Sequence, residues 1–174
     1  MIARKLKISL ADIEKADLEG AARSLVLSFT DKGKTVASAE SCTGGLFGAS
    51  VTEISGASAV YLGGVISYTN DVKEKMLGVA AGTLEAHTAV SEYTACEMAR
   101  GARERLGADL GVSVTGYAGP TGGDEKNPVG TVFVCVSDVC GENVTRLSFD
   151  KGATREQIRR FAVCFMLDAL LGME

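Results

Sequence analysis

Residues 34–52 constrain the fold more than any other stretch. A β-prone run, KTVAS at 34–38, passes through seven mostly small residues, AESCTGG at 39–45, into an apolar-spaced segment that reads as helix to about residue 52. That order is a strand, a tight turn and a helix start, the unit from which layered α/β sheets are built. A helix start leaves backbone N–H groups unpaired and pointing outward, which suits an anion or a developing oxyanion. Gly44 and Gly45 let that backbone approach a ligand. A plain βα turn, with Ser41 or Thr43 as the N-cap, uses the same residues.

The pattern recurs along the chain. Residues 17–32 carry Leu18, Ala21, Ala22, Leu25 and Phe29 on one helical face, and Gly33 stands where a helix stops. Residues 59–68 are β-prone, with a bulge expected at Gly63–Gly64. Residues 69–71 read as a cap, with Asn70 taken as the N-cap, for a helix over 72–77 that Gly78 ends. A helical turn at 83–87 and a longer helix from Ser91–Glu92 to Gly107 follow. Strands are expected at 109–115, 129–136 and 144–149, with residues 140–143 as the hairpin turn between the last two. Ile158, Phe161, Ala162, Phe165, Met166, Ala169 and Leu170 repeat at three/four spacing and define a closing amphipathic helix. The fold class expected is a layered α/β/α domain with a mixed, largely parallel sheet and a C-terminal hairpin. It occupies residues 17–174. Residues 1–16 are weakly patterned and read as an arm or a short extra helix.

Composition narrows the function. At 174 residues the chain supports one core, and 46% hydrophobic with 23% charged residues is ordinary for a globular domain. The net charge of −4 gives no general footprint for nucleic acid. Five cysteines without a CxxC pair, beside a single histidine, argue against a disulfide scaffold or a zinc site. No apolar run approaches the ~18 residues that span a bilayer. A cytoplasmic protein with no metal, no membrane partner and no nucleic-acid partner is expected.

Three polar or glycine-rich segments follow strands, at 41–45, 68–73 and 115–123, and ligands in α/β sheets bind beyond the strands' carboxyl ends. The 116–123 loop, GYAGPTGG, offers backbone N–H groups to a phosphate or carboxylate, or is a plain connection. Lys73 falls in the first turn of its helix, where the macrodipole disfavours an ammonium, so it is either a base with a lowered pKa or a surface lysine. Tyr68 ends the strand before it. Cys42 beside a helix start could act as a thiol nucleophile if His87 reached it, or could be a small buried hydrophobe. Arg155, Arg159 and Arg160 open the last helix, where a solvated face is expected over a phosphate contact.

Taken in order, AESCTGG at 39–45, GVISYTN at 64–70 with Lys73, His87 followed by AVSE at 89–92, TGYAGP at 115–120 with Gly122–Gly123, and PVGTV at 128–132 closely resemble the CinA C-terminal-domain family. The likeness spans roughly residues 18–170. That family includes stand-alone nicotinamide mononucleotide deamidases, and a stand-alone form is the expectation here. The resemblance implies hydrolysis of the carboxamide of nicotinamide mononucleotide to nicotinate mononucleotide and ammonia, in pyridine-nucleotide salvage. It implies a serine nucleophile, a lysine partner and a tyrosine, matching Ser41, Lys73 and Tyr68. A nucleotide substrate would lie against Cys42, Thr43, Gly44, Gly45, Asn70, Thr115, Gly116, Ala118 and Gly119, with the oxyanion on backbone N–H groups around 43–45. The resemblance also implies no cofactor, and self-association. Two positions depart from the family pattern: Asn127 stands where a lysine is usual before Pro-Val-Gly-Thr, and Tyr117 where a small aliphatic is usual. A non-catalytic nucleotide-binding or interaction module of the same fold is the alternative.

Overall fold

The structure is a computed structural model that describes residues 2–173. Its centre is a six-stranded sheet in the order β1-β6-β5-β4-β2-β3. The strands are β1 (Arg4–Ile8), β2 (Val36–Glu40), β3 (Tyr61–Ile66), β4 (Leu110–Gly116), β5 (Thr131–Ser137) and β6 (Glu142–Phe149). β1 pairs with β6, and β2 with both β3 and β4, in parallel; only β5 runs against its neighbours. The expected mixed, largely parallel sheet with its hairpin is present. All five residues of β2 and all seven of β5 are buried, as continuous apolar or small-residue strands covered on both faces must be.

Helices α2 (Leu18–Lys32), α3 (Leu46–Thr52) and α7 (Arg155–Leu171) pack together on one face. On the other face α6 (Glu92–Leu106) lies across the central strands and carries α4 (Asn70–Leu77) and α5 (Ala81–His87). α7 is buried more widely than its one-face pattern predicts: Val163 and Leu167 are as inaccessible as Ile158, Met166 and Leu170. The reason is that α2 covers a second side of it. Each such side chain contributes about 1.5–3 kcal/mol of burial.

Three local expectations shift. Within the stretch expected as an arm or a short extra helix, residues 4–8 are a strand on the sheet edge, in register from Arg4 opposite Thr145 to Ile8 opposite Phe149. A short helix α1 (Leu10–Lys15) follows, with a capping box between Ser9 and Asp12. The edge position accounts for the weak pattern, since β1 pairs on one side only and Ile8 is its one buried residue. The bulge in β3 falls at Leu62, between the partners of Val36 and Ala37. The N-cap of α4 is Thr69 rather than Asn70, its hydroxyl accepting from the Val72 N–H. Met1, the first residue of the expected arm, lies outside the described residues. Among the described residues no helix is long and apolar enough to cross a membrane.

Candidate active site

Sheet order decides which loops meet. β2 lies between β3 and β4, and all three run parallel, so the segments after residues 40, 66 and 116 leave the same end of the sheet side by side. The chain leaves β2 through α3 on one face, and leaves β3 through α4–α6 on the other. Parallel neighbours whose connections depart to opposite faces open a crevice between them. Ser41 stands at the head of the first connection and Lys73 in the second.

There the two side chains meet. Lys73 Nζ is 3.1 Å from Ser41 Oγ and donates to the Ser67 carbonyl at 2.6 Å. Lys73 is 1% exposed, and no carboxylate pairs with it among the described residues. Removal from water pushes its pKa down to about 8, with the neighbouring Cys42 acting weakly the other way. Desolvation, rather than the helix end, is the cause. Ser67 also stitches the two strand ends together: its N–H and hydroxyl donate to the Glu40 carbonyl at 2.7 and 3.3 Å.

The start of α3 is not open to an anion, contrary to the sequence expectation. Glu40, 2% exposed, folds its carboxylate over that helix end. Oε2 accepts from Thr43 Oγ1 (2.7 Å), Gly45 N–H (3.0 Å) and Phe47 N–H (3.1 Å), and Oε1 from Gly48 N–H (3.2 Å). Gly44 N–H donates to the Ser41 carbonyl. A carboxylate already on the chain therefore satisfies the donors that an external anion would use. Neither the Cys42 nor the Thr43 N–H donates to another residue among the described ones, and because Thr43 is fully buried the Cys42 N–H is the donor left beside Ser41. Gly45 sits at φ 96°, a left-handed conformation that side-chain-bearing residues rarely adopt, and a Cβ there would press only on the movable end of Ile66 at 3.0 Å, so it is the backbone conformation that favours glycine.

A cleft of about 280 Å³ opens over the pair. Of the residues named from the sequence, Ser41, Cys42, Tyr68, Lys73, Thr115, Gly116, Ala118 and Gly119 line it; Thr43, Gly44, Gly45 and Asn70 do not. The Thr115 hydroxyl is spent on the Ala89 carbonyl at 2.7 Å. Tyr68 is exposed, its hydroxyl 3.5 Å from Arg155 Nη2. Ala89, Val90, Tyr117, Thr121 and Arg155 complete the wall. Arg155 is exposed, as expected of a solvated face, yet its Nη1 reaches in to donate to the Gly119 carbonyl at 2.8 Å. Arg159 likewise reaches inward and donates to the Thr43 carbonyl at 2.7 Å. Three arginines at a helix start gave no sign of which would turn inward. A larger hollow, near 460 Å³, lies at the opposite end of β2 and β4, around Phe29, Lys34, Leu110 and Leu170. It contains no paired nucleophile and base.

Cys42 does not fit the role of a thiolate. It is buried, and burial drives its pKa up to about 12. His87 is engaged elsewhere, stacked on Tyr93 with ring centroids 4.0 Å apart.

Residues 18–173 match the family model described as CinA C-terminal domain. A CinA-like protein of Synechocystis is 49% identical over 141 residues, covering 80% of this chain and 34% of that relative. A CinA-like protein of Geobacter sulfurreducens is 44% identical over 142 residues, covering 82% and 34%. The chain thus spans about a third of the length of these curated relatives. Among solved structures, the competence/damage inducible protein CihA of Agrobacterium tumefaciens superposes with a TM-score of 0.86 at 42% identity, covering 89% of this chain and 94% of that one. A CinA superfamily protein of Escherichia coli gives 0.87 at 32% identity, with 92% of each chain covered. With the family model matched over residues 18–173 and the fold shared, this chain belongs to the CinA C-terminal domain family.

Proposed function

We propose that the protein is a Ser/Lys amidohydrolase that cleaves the carboxamide of nicotinamide mononucleotide, giving nicotinate mononucleotide and ammonia. The observation that carries this reading is the contact between Ser41 Oγ and a buried Lys73 amine whose pKa lies near 8. An amine that is readily neutral, within hydrogen-bond reach of a hydroxyl, is a general base beside its nucleophile. The choice of substrate rests on the family resemblance.

In this mechanism Lys73 Nζ takes the hydroxyl proton as Ser41 Oγ bonds to the amide carbon. The carbonyl oxygen becomes an oxyanion held by the Cys42 N–H, a contribution of roughly 3–4 kcal/mol. Lys73 then gives its proton to the departing nitrogen as the C–N bond breaks, and ammonia leaves. Water, deprotonated by Lys73, attacks the Ser41 ester; the acid is released and Ser41 is restored. In this reading Tyr68 and Arg155, which line the cleft, would meet the ribose-phosphate end of the nucleotide.

Ammonia release from nicotinamide mononucleotide tests the proposal. Ser41→Ala is expected to abolish turnover and Cys42→Ala to keep at least about a third of it, because the thiol only packs. Turnover that survives Ser41→Ala rejects the serine mechanism. No turnover in the unmodified protein, with nucleotide binding intact by calorimetry, rejects the enzyme in favour of a binding module.

A further inference from the structure

We infer that Glu40 is a positioning residue that sets both halves of the Ser41/Lys73 pair; the inference rests on the serine mechanism proposed above. Glu40 carries an acidic side chain in the interior with no cation paired to it among the described residues. Burying a carboxylate is costly unless hydrogen bonds replace its water, and here one hydroxyl and three backbone N–H groups do so. A seven-residue helix needs no such device merely to start: a Ser, Thr, Asp or Asn at the N-cap would serve. The N-cap of α3 is instead Gly45, which has no side chain to give. Glu40 caps the helix from five residues upstream.

That reach closes residues 40–45 into a ring through the carboxylate. Inside it lie Ser41 and the Cys42 N–H left for an oxyanion. Thr43 is pinned twice, its hydroxyl by Glu40 and its carbonyl by Arg159 Nη2 at 2.7 Å. The main chain of the same residue serves the base. The Glu40 carbonyl accepts from the Ser67 N–H and hydroxyl, and the Ser67 carbonyl in turn holds Lys73 Nζ. Side chain and backbone of Glu40 thereby fix the nucleophile's turn and the base's cradle relative to each other. Glu40 touches no reacting atom; it acts through Ser41 and Lys73.

The test reads Ser41 directly, so that it does not depend on the identity of the substrate. A small alkyl fluorophosphonate reacts as the Ser41 Oγ–P bond forms and the P–F bond breaks; fluoride leaves and the hydroxyl proton passes to Lys73. Labelling is followed by intact mass at 25 °C, on protein shown to be folded by circular dichroism and thermal unfolding. Glu40→Gln replaces one acceptor oxygen with an NH2 that faces N–H or O–H donors in either orientation, and is expected to slow labelling about 30-fold or more. Glu40→Asp keeps the charge but shortens the reach, and is expected to label as slowly. Thr43→Val removes one of the four bonds and is expected to slow labelling about 3–10-fold; it decides the matter if Glu40→Gln does not fold.

A role confined to stability would lower the unfolding temperature and leave the rate per folded molecule within twofold, and that result overturns the inference. So does wild-type labelling in Glu40→Asp, because charge rather than reach would then be sufficient. If the unmodified protein labels no faster than Ser41→Ala, the serine mechanism itself fails and the inference with it. That outcome is distinct from a labelled wild type with equally labelled Glu40 variants.

Discussion

An ammonium cannot accept a proton, so in the proposed mechanism Lys73 serves as a base only in its neutral form. Burial moves its pKa from 10.5 to about 8, so at pH 7 roughly one molecule in ten carries the neutral amine. The expected kcat/KM for nicotinamide mononucleotide rises about tenfold per pH unit below 8 and levels above it; a limb centred below 7 would contradict desolvation as the controlling cause. The same shift has a stability sign. The folded state binds this proton more weakly than the unfolded chain, so below pH 8 the charged lysine costs roughly 3 kcal/mol, a cost that fades as pH rises toward 10.5. Lys73→Met is therefore expected to be inactive yet about 1–2 kcal/mol more stable at pH 7. The gain falls short of the full cost because the Ser67 carbonyl loses its donor. Denaturant unfolding at pH 7 and at pH 10 should show the gain at the first and little of it at the second. At this scale Ser41 and Lys73 could be picked out of the sequence. Glu40 could not, because only the folded turn shows which donors its carboxylate collects.

Helix packing sets how finely the pair is held. α4 delivers Lys73, and it rests on α6 where Gly101 faces the Leu77 carbonyl at the end of α4. A Cβ at Gly101 would collide with that carbonyl and lie 3.1 Å from the Leu77 Cα. Gly101→Ala should push the two helices apart, costing about 1–3 kcal/mol, and slow turnover by shifting the start of α4. Gly82, within α5, has open space around its Cβ position and an ordinary φ. Gly82→Ala is expected to raise stability by about 0.5–1 kcal/mol and leave turnover unchanged. Thermal unfolding and the ammonia assay on the two variants separate contact from propensity. The sequence shows α6 as a helix from its periodicity, but not why a glycine stands within it. That reason is a carbonyl on another element.

For the molecule as a whole, the sheet order keeps the site apart from the N-terminal edge. Strands β6, β5 and β4 stand between β1 and β2. Removing residues 2–16 takes away β1 and the buried Ile8 and exposes β6, so stability should fall. Turnover per folded molecule should persist; its loss would mean that the edge strand reaches the site. Alternating runs, glycine stops and amphipathic spacing are local properties, and the sequence by itself determined the helices, most of the strands and the layered α/β class from them. It also determined, through the ordered motifs, the family, and the resemblance singled out Ser41, Lys73 and Tyr68 as candidates. Tertiary structure alone decided that β2 lies between β3 and β4, which brings the three loops to one cleft. It alone decided that Glu40 closes the helix end expected to hold an anion, that Arg155 and Arg159 hydrogen-bond the Gly119 and Thr43 carbonyls, and that Lys73 is dry enough to shed its proton. Strand order, burial and hydrogen-bond partners are relations between residues distant in sequence, and local pattern carries no record of them.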